Sequence, residues 1–247
     1  MHISSFTPFI FLSFSAFASS PVPVNLALRS ELCSGIDRQI GALDNIVMEE
    51  VISRYSRIRG KAQKLDEFDA SVEMTGGAER VSVLTRNGLP YRTRGSMAGT
   101  WSLGDFSAVL RVSRDALCDG DAQVRPVPDS QPPQLAATFH LTAKSARWFV
   151  TAGGQIRWLD FEGEIRMSAL TGDVLQISWK SAPPDKGTGI REIRRTLRLV
   201  SVDVGGETYV LPESAEYRVA HDGDRVEWNT TRFKKPARYG SLVSLTF

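Results

Sequence analysis

Leu159-Asp160-Phe161-Glu162-Gly163-Glu164-Ile165-Arg166-Met167 alternates between apolar and polar side chains, and the stretch that follows repeats the pattern to the end of the chain. Leu175, Ile177 and Trp179 alternate with Gln176, Ser178 and Lys180. Ala215, Tyr217 and Val219 alternate with Glu216 and Arg218. Val226 and Trp228 alternate with Glu227 and Asn229, and Tyr239, Val243, Leu245 and Phe247 share one face at the C-terminus. A period of two places one face of each strand in a core and the other in water, which is the habit of antiparallel sheets.

Turn residues punctuate the strands. Thr75-Gly76-Gly77, Asn87-Gly88, Gly153-Gly154, Thr171-Gly172-Asp173, Gly205-Gly206 and His221–Asp224 separate the alternating runs. Phe68, Ala70, Val72 and Met74 run into a hairpin with Val81, Val83 and Thr85. Ile46–Ile58 reads as a strand because of its β-branched content. Pro212 is expected to break Thr208–Leu211 from Ser214–Ala220, and Ile156–Ala169 reads as one strand. Asp119–Pro133, with four prolines, reads as a loop.

Two helices interrupt the strands. Leu28, Leu32, Ile36, Ile40 and Leu43 recur at helical spacing within Val24–Leu43. A second helix is predicted over Leu103–Ala116, with Ser102 and Asp105 resembling a capping box. The expected fold class is mainly β, in α+β form. It is a curled antiparallel sheet of about ten strands, open as a half-barrel, with the two helices packed on the concave side.

The N-terminus reads as a secretory signal. Phe9–Ser15 is a short apolar run, Ala16-Phe17-Ala18 is an A-x-A cleavage site, and His2 stands in place of the usual basic n-region. Export to the periplasm or beyond is expected, with residues 1–18 removed and residues 19–247 forming one β-rich domain. No later stretch reaches the ~20 apolar residues of a transmembrane helix. Cys33 and Cys118 form an even pair, which in an oxidising compartment reads as a disulfide, with two separately buried thiols as the alternative.

Charge is close to balanced, with 30 Lys and Arg against 28 Asp and Glu. That balance gives no footprint for nucleic acid. The basic groups Arg191, Arg194, Arg195 and Arg198, and Lys234, Lys235 and Arg238, read as solvated strand faces. His140 and His221 lie far from any nucleophile elbow, no zinc spacing occurs, and Asp119-Gly120-Asp121 and Asp222-Gly223-Asp224 are too short for a calcium loop. Glu162 and Glu164 share a face, as i, i+2 carboxylates on a wet strand commonly do. The reading is therefore a non-catalytic protein without metal or cofactor.

Three segments carry a family resemblance. Phe161–Arg166 followed by Leu170-Thr171-Gly172-Asp173-Val174-Leu175 resembles a hairpin of the lipoprotein-carrier-like half-barrels, with Ser168-Ala169 where that hairpin usually has an Asp. Gly205-Gly206-Glu207-Thr208-Tyr209-Val210-Leu211-Pro212 resembles their "GG-x-x-Y-x-L-P" return. Arg232-Phe233 before the final strand fits the same order. The resemblance covers Phe139–Phe247 and implies an open sheet plugged by helices, whose concavity holds acyl chains of lipoproteins or senses them.

Phe161, Trp179, Tyr217 and Trp228 fall on the apolar faces of neighbouring strands. They read either as core or as candidate lining residues of a cavity for an apolar ligand, a lipid or acyl chain. The expected function is a non-catalytic extracytoplasmic module that binds such a ligand, or a partner polypeptide of the envelope, on its concave face. Two alternatives remain from the sequence: an outer-membrane β-barrel, suggested by the Phe-ending last segment, and an enzyme with a site that no motif marks.

Overall fold

The computed structural model describes residues 24–91, 106–119, 124–126, 134–143, 149–152, 155–182 and 187–238. The signal segment, the Ser102–Asp105 capping pattern, the Gly153-Gly154 turn and the Tyr239–Phe247 segment lie outside them. Helix α1 spans Val24–Ala42, and β1 (Ile46–Ile58), β2 (Lys61–Thr75), β3 (Ala78–Arg86) and β4 (Leu89–Pro90) follow as a meander. Helix α2 spans Ala108–Arg114 and continues as one π-helical turn, Asp115–Asp119. The remaining strands are β5 (Val124–Pro126), β6 (Gln134–Leu141), β7 (Phe149–Ala152), β8 (Gln155–Trp158), β9 (Phe161–Ser168), β10 (Val174–Ser181), β11 (Ile190–Val204), β12 (Glu207–His221) and β13 (Val226–Arg238).

Among the described residues, eleven strands form one antiparallel sheet in the order β4-β3-β2-β1-β13-β12-β11-β10-β9-β6-β5, and β7 pairs only with β8. The sheet is an open half-barrel. Its two edges, β4 and β5, do not pair, which rules out a closed barrel of these strands and removes the outer-membrane alternative. The outer face confirms it: Glu164 with Arg166, Lys180 and Arg194 with Glu192, and His140 with Glu162 form ion pairs there. A lipid-facing band is apolar.

Three expected boundaries shift. The run from Ile156 to Ala169 divides at Leu159-Asp160, because β8 belongs to the separate two-stranded ribbon while β9 pairs with β6 and β10. The Pro-rich segment contains β5, paired with β6 through Val124 and Phe139. Pro212 does not break its strand. It faces Leu199 at a bulge, where the register slips between Arg198 and Leu199, and the β12–β13 ladder runs only from Ser214. Proline lacks an amide proton, so it is tolerated where a bulge or a free edge asks for no ladder bond.

The inner face carries the core. Leu32 and Ile36 of α1, Phe106, Val109 and Leu110 at α2, and Phe139, Phe161, Ile165, Met167, Ile177, Trp179 and Leu197 of the sheet are all buried in one cluster. Cys33 and Cys118 form a disulfide with Cα atoms 5.8 Å apart, joining α1 to the π-helical turn. Arg114 pairs with Asp37 at 2.9 Å beside it. Crosslinking residues 85 apart removes conformations from the unfolded chain, an effect the chain-entropy relation puts at ~4–5 kcal/mol. A Cys33→Ala/Cys118→Ala variant is expected to lose stability of that order in urea denaturation, and the unreduced wild-type protein to show no alkylatable thiol after unfolding.

Candidate functional site

Directly opposed residues of an antiparallel ladder point to the same side, so the registers trace rows across the concave face. One row runs Phe139–Gly163–Trp179–Arg195–Tyr217–Asn229–Arg54–Asp66 from β6 to β2. Gly163 is required by its neighbour: a Cβ there would stand 2.2 Å from the Phe139 ring. Phe161 and Trp179 touch at a ring distance of 5.8 Å, and the Trp179 indole donates to Ser113 Oγ of α2 at 3.2 Å. Three of the expected lining residues, Phe161, Trp179 and Tyr217, are therefore together on the inner face and packed into the core.

Trp228 is not with them. It pairs in register with Arg218 and Tyr55 on the convex face and stacks on Tyr55 at 5.2 Å. The alternation in β13 is inverted relative to the expectation: Glu227, Asn229, Thr231 and Phe233 point inward and are buried. The reason lies in β1, whose inward residues Arg54 and Ser56 supply polar partners opposite Asn229 and Glu227. Polarity alone misassigns a face when the core itself contains a polar band.

That band holds the charges that sequence reading missed. Arg54 makes a bidentate pair with Asp66, both contacts at 2.6 Å, and Arg86 adds a bond to Asp66 at 2.8 Å. Both guanidinium groups lie over the Phe68 ring, at 5.4 and 5.6 Å. Burial works to raise the Asp66 carboxyl, and the bonds from Arg54 and Arg86 more than offset it, holding it below the ordinary carboxylate range. Arg195 is fully buried with its guanidinium over Tyr217 at 5.8 Å. Burial draws it down to about 10, against the pull of Tyr217, Glu79 and Glu50.

Glu50 and Glu79 complete the group near α2. Glu79 accepts from the Ser107 amide at 2.8 Å and from its hydroxyl at 2.7 Å, which fixes the start of α2 to β3. Glu50 is buried, and its carboxyl is raised to about 7, first by desolvation and then by the charge of Glu79, with Arg195 opposing. A signal for these residues exists in the sequence. Arg195 sits in phase with Ile193 and Leu197, Glu50 with Met48 and Ile52, and Asp66 with Phe68 and Ala70, each a charge in an apolar register.

A cleft opens beside α1. The C-terminal half of α1 is seated on the β9–β10 turn: Gly35 lies so close that a Cβ would meet the Gly172 carbonyl oxygen at 2.3 Å. Buried Gln39 accepts from the Val174 amide at 3.0 Å and donates to its carbonyl at 2.8 Å, replacing the ladder where the β9–β10 register slips. Arg38 reaches the Thr171 carbonyl at 2.9 Å and Asp173 at 2.7 Å. One flank of α1 and the β9–β10 turn border a volume of about 670 Å³ lined by Leu26, Glu31, Gly35, Leu135, Met167 and Leu170 among others, while Leu28 and Leu32 on another flank of the helix are buried in the core. Leu26 is 56% and Leu170 83% exposed at its mouth, and Met167 also belongs to the core beneath.

Each histidine faces a glutamate, His140 on the outer face and His221 beside the buried Glu227. His140 bonds Glu162 at 2.9 Å on the outer face, and His221 lies 3.5 Å from Glu227. No group of three or more His, Cys, Asp or Glu positioned to hold a metal occurs among the described residues. No helix among them is long and apolar enough to cross a membrane.

No protein-family description matches the chain, and a comparison with curated proteins found no match. Solved structures similar in fold include a LolA superfamily protein from Nitrosomonas europaea, at 9% identity over 86% of this chain and 94% of that one, with a TM-score of 0.44. A DUF1329 family protein from Desulfovibrio piger covers 90% and 95% at 10% identity and a TM-score of 0.29. An outer membrane lipoprotein-sorting protein domain from Vibrio parahaemolyticus covers 87% and 95% at 8% identity and a TM-score of 0.33. At such identities the likeness transfers no residue and no activity.

Two substitutions separate the faces. Trp179→Ala, which empties a packed site and orphans Ser113, is expected to cost ~3–5 kcal/mol in chemical denaturation. Trp228→Ala on the convex face is expected to cost less than about 1.5 kcal/mol, the worth of its stacking on Tyr55. Glu50 gives a pH prediction. Its folded value of about 7 lies above the ordinary 4.5 of a glutamate, so its contribution is whole below 4.5 and is lost as pH rises through 7. Glu50→Gln is expected to flatten the loss of urea resistance between pH 5 and 8, a loss on the order of 2–3 kcal/mol in the wild type.

Proposed function

We propose that the protein is a non-catalytic extracytoplasmic module that binds a hydrophobic chain, a lipid acyl group, between α1 and the sheet. The observation that carries this reading is the cleft of about 670 Å³, with exposed Leu26 and Leu170 at its mouth and Met167 at its floor. Exposed leucines around a concavity are what an apolar ligand would cover. Met167 joins the cleft to the core that holds Phe161 and Trp179, so a chain seated there borders the aromatic row of the concave face. The seat at Gly35, Gln39 and Arg38 holds α1 over the β9–β10 turn beside it.

The disulfide supports an oxidising compartment. With the N-terminal secretory pattern it supports export after removal of residues 1–18, and residues 19–247 then form the working domain. The partner in this reading is an acyl-bearing molecule of the envelope.

Fluorescence titration of the mature protein with cis-parinaric acid tests the site. Leu170→Asp and Leu26→Asp place a charge at the mouth and are each expected to weaken binding at least tenfold, ~1.4 kcal/mol. Trp228→Ala, on the opposite face, is expected to leave it unchanged. Absence of probe binding by the wild type, or equal binding by Leu170→Asp, would defeat the acyl-chain reading.

A further inference from the structure

The convex face of β11, β12 and β13 carries a second hollow, of about 280 Å³, between two rows of side chains. Arg198, Ser214 and Arg232 stand opposite one another in one row, and Thr196, Glu216 and Thr230 in the next. Adjacent strands lie about 4.8 Å apart, so the two arginines rise from backbones ~10 Å apart with the short Ser214 between them. The rows are two residues apart along the strands, ~6.6 Å. The bulge opposite Leu199, next to Ser214, bends β12 and deepens the depression.

Arg198 and Arg232 are exposed, and among the described residues neither makes a hydrogen bond or an ion pair. On the same face Arg166 is paired with Glu164, Arg194 with Glu192 and Lys64 with Glu67, while Arg218, one row further along, is like Arg198 without such a partner among the described residues. Glu216 is likewise exposed and without such a partner. Arg198 and Arg232, which line the hollow on either side of the Ser214 hydroxyl, suit the oxygens of a phosphate, which arginine holds with paired bonds; Arg232 also feels the charge of Glu67 at longer range. The neighbouring row offers one carboxylate flanked by two hydroxyls, three acceptors for the three N–H bonds of a primary ammonium. A bare phosphate would face Glu216 repulsively, whereas a zwitterion satisfies both rows.

We infer that this hollow is a binding site for a phosphoethanolamine group, with the phosphate between Arg198 and Arg232 and the ammonium on Thr196, Glu216 and Thr230. It lies on the face opposite the acyl cleft and does not depend on the reading of that cleft. The same chemistry occurs as a lipid headgroup and as a soluble phosphate monoester, and the test separates the two.

Calorimetric titration of the mature protein with soluble phosphoethanolamine, inorganic phosphate and phosphocholine examines the site directly. Phosphoethanolamine is expected to bind at least tenfold tighter than either of the others, because phosphate lacks the ammonium and phosphocholine lacks its N–H donors. Arg198→Ala and Arg232→Ala are each expected to weaken it at least tenfold, with circular dichroism and thermal midpoint unchanged. Glu216→Gln is expected to abolish the preference over inorganic phosphate. No binding of phosphoethanolamine, or equal binding by the Arg198→Ala/Arg232→Ala double variant, overturns the inference. Co-sedimentation with phosphatidylethanolamine-containing vesicles but not with pure phosphatidylcholine vesicles assigns the headgroup to lipid. Binding of soluble phosphoethanolamine without such co-sedimentation assigns it to the monoester, and either result supports the site. Parinaric acid binding is expected to be unchanged in both arginine variants, so the two sites stand or fall separately.

Discussion

An open sheet has an inner face with no second sheet to cover it, and everything else in this structure follows from how that face is covered. Two helices do it. They are held as a unit by the Cys33–Cys118 bridge and the Arg114–Asp37 pair, and anchored to the sheet at few points. Gly35 meets the Gly172 carbonyl, Gln39 replaces a missing ladder partner at Val174, and Ser107 is fixed by Glu79. The Trp179–Ser113 bond adds an anchor deep in the core. Arg38 adds a pair with Asp173 at the β9–β10 turn, and the buried faces of the helices otherwise rest largely on apolar contact, which is strong but has no direction.

The concave face is not uniformly apolar. The helix-covered side holds Phe139, Phe161, Trp179 and Leu197, while the β1–β2–β13 side holds Arg54, Asp66, Glu227 and Asn229. A buried charge is tolerated only with close partners, and Arg54 with Asp66 meets that condition through two short bonds and an aromatic face. Glu50 meets it less well and responds by holding its proton to about pH 7. The boundary between the halves runs through Arg195 and Tyr217, next to α2.

The two faces divide the chemistry. The inner face and its cleft offer shape and apolar surface, with Arg54 and Asp66 engaged with each other and Glu50 Oε2 left without a hydrogen-bond partner. The outer face carries many ion pairs, while Arg198, Arg232 and Glu216 around the hollow make no hydrogen bond or ion pair among the described residues. Twist and the bulge in β12 bring these side chains around a shared hollow, and strand register sets their spacing.

The sequence by itself determined the antiparallel sheet and the two helices; it offered Cys33 and Cys118 as a pair, and the tertiary structure, with their Cα atoms 5.8 Å apart, decided the bridge. Period-two alternation, helical spacing in Leu28–Leu43 and an even cysteine count are local or compositional signals that need no knowledge of neighbours. It also placed Phe161, Trp179 and Tyr217 on one face, because β9, β10 and β12 keep a clean alternation. It failed at Trp228, where inward Glu227 and Asn229 are more polar than the outward tryptophan, and at Arg195, which reads as one more surface arginine in a basic run. Both depend on which strand lies alongside: Arg54 opposite Asn229, and Tyr217 opposite Arg195, make an inward polar residue affordable. Pro212 looked like a break because a lone strand cannot show that its neighbour bulges. The cleft and the outer hollow were equally beyond reach, since each is assembled from elements distant in the chain and is set by tertiary register.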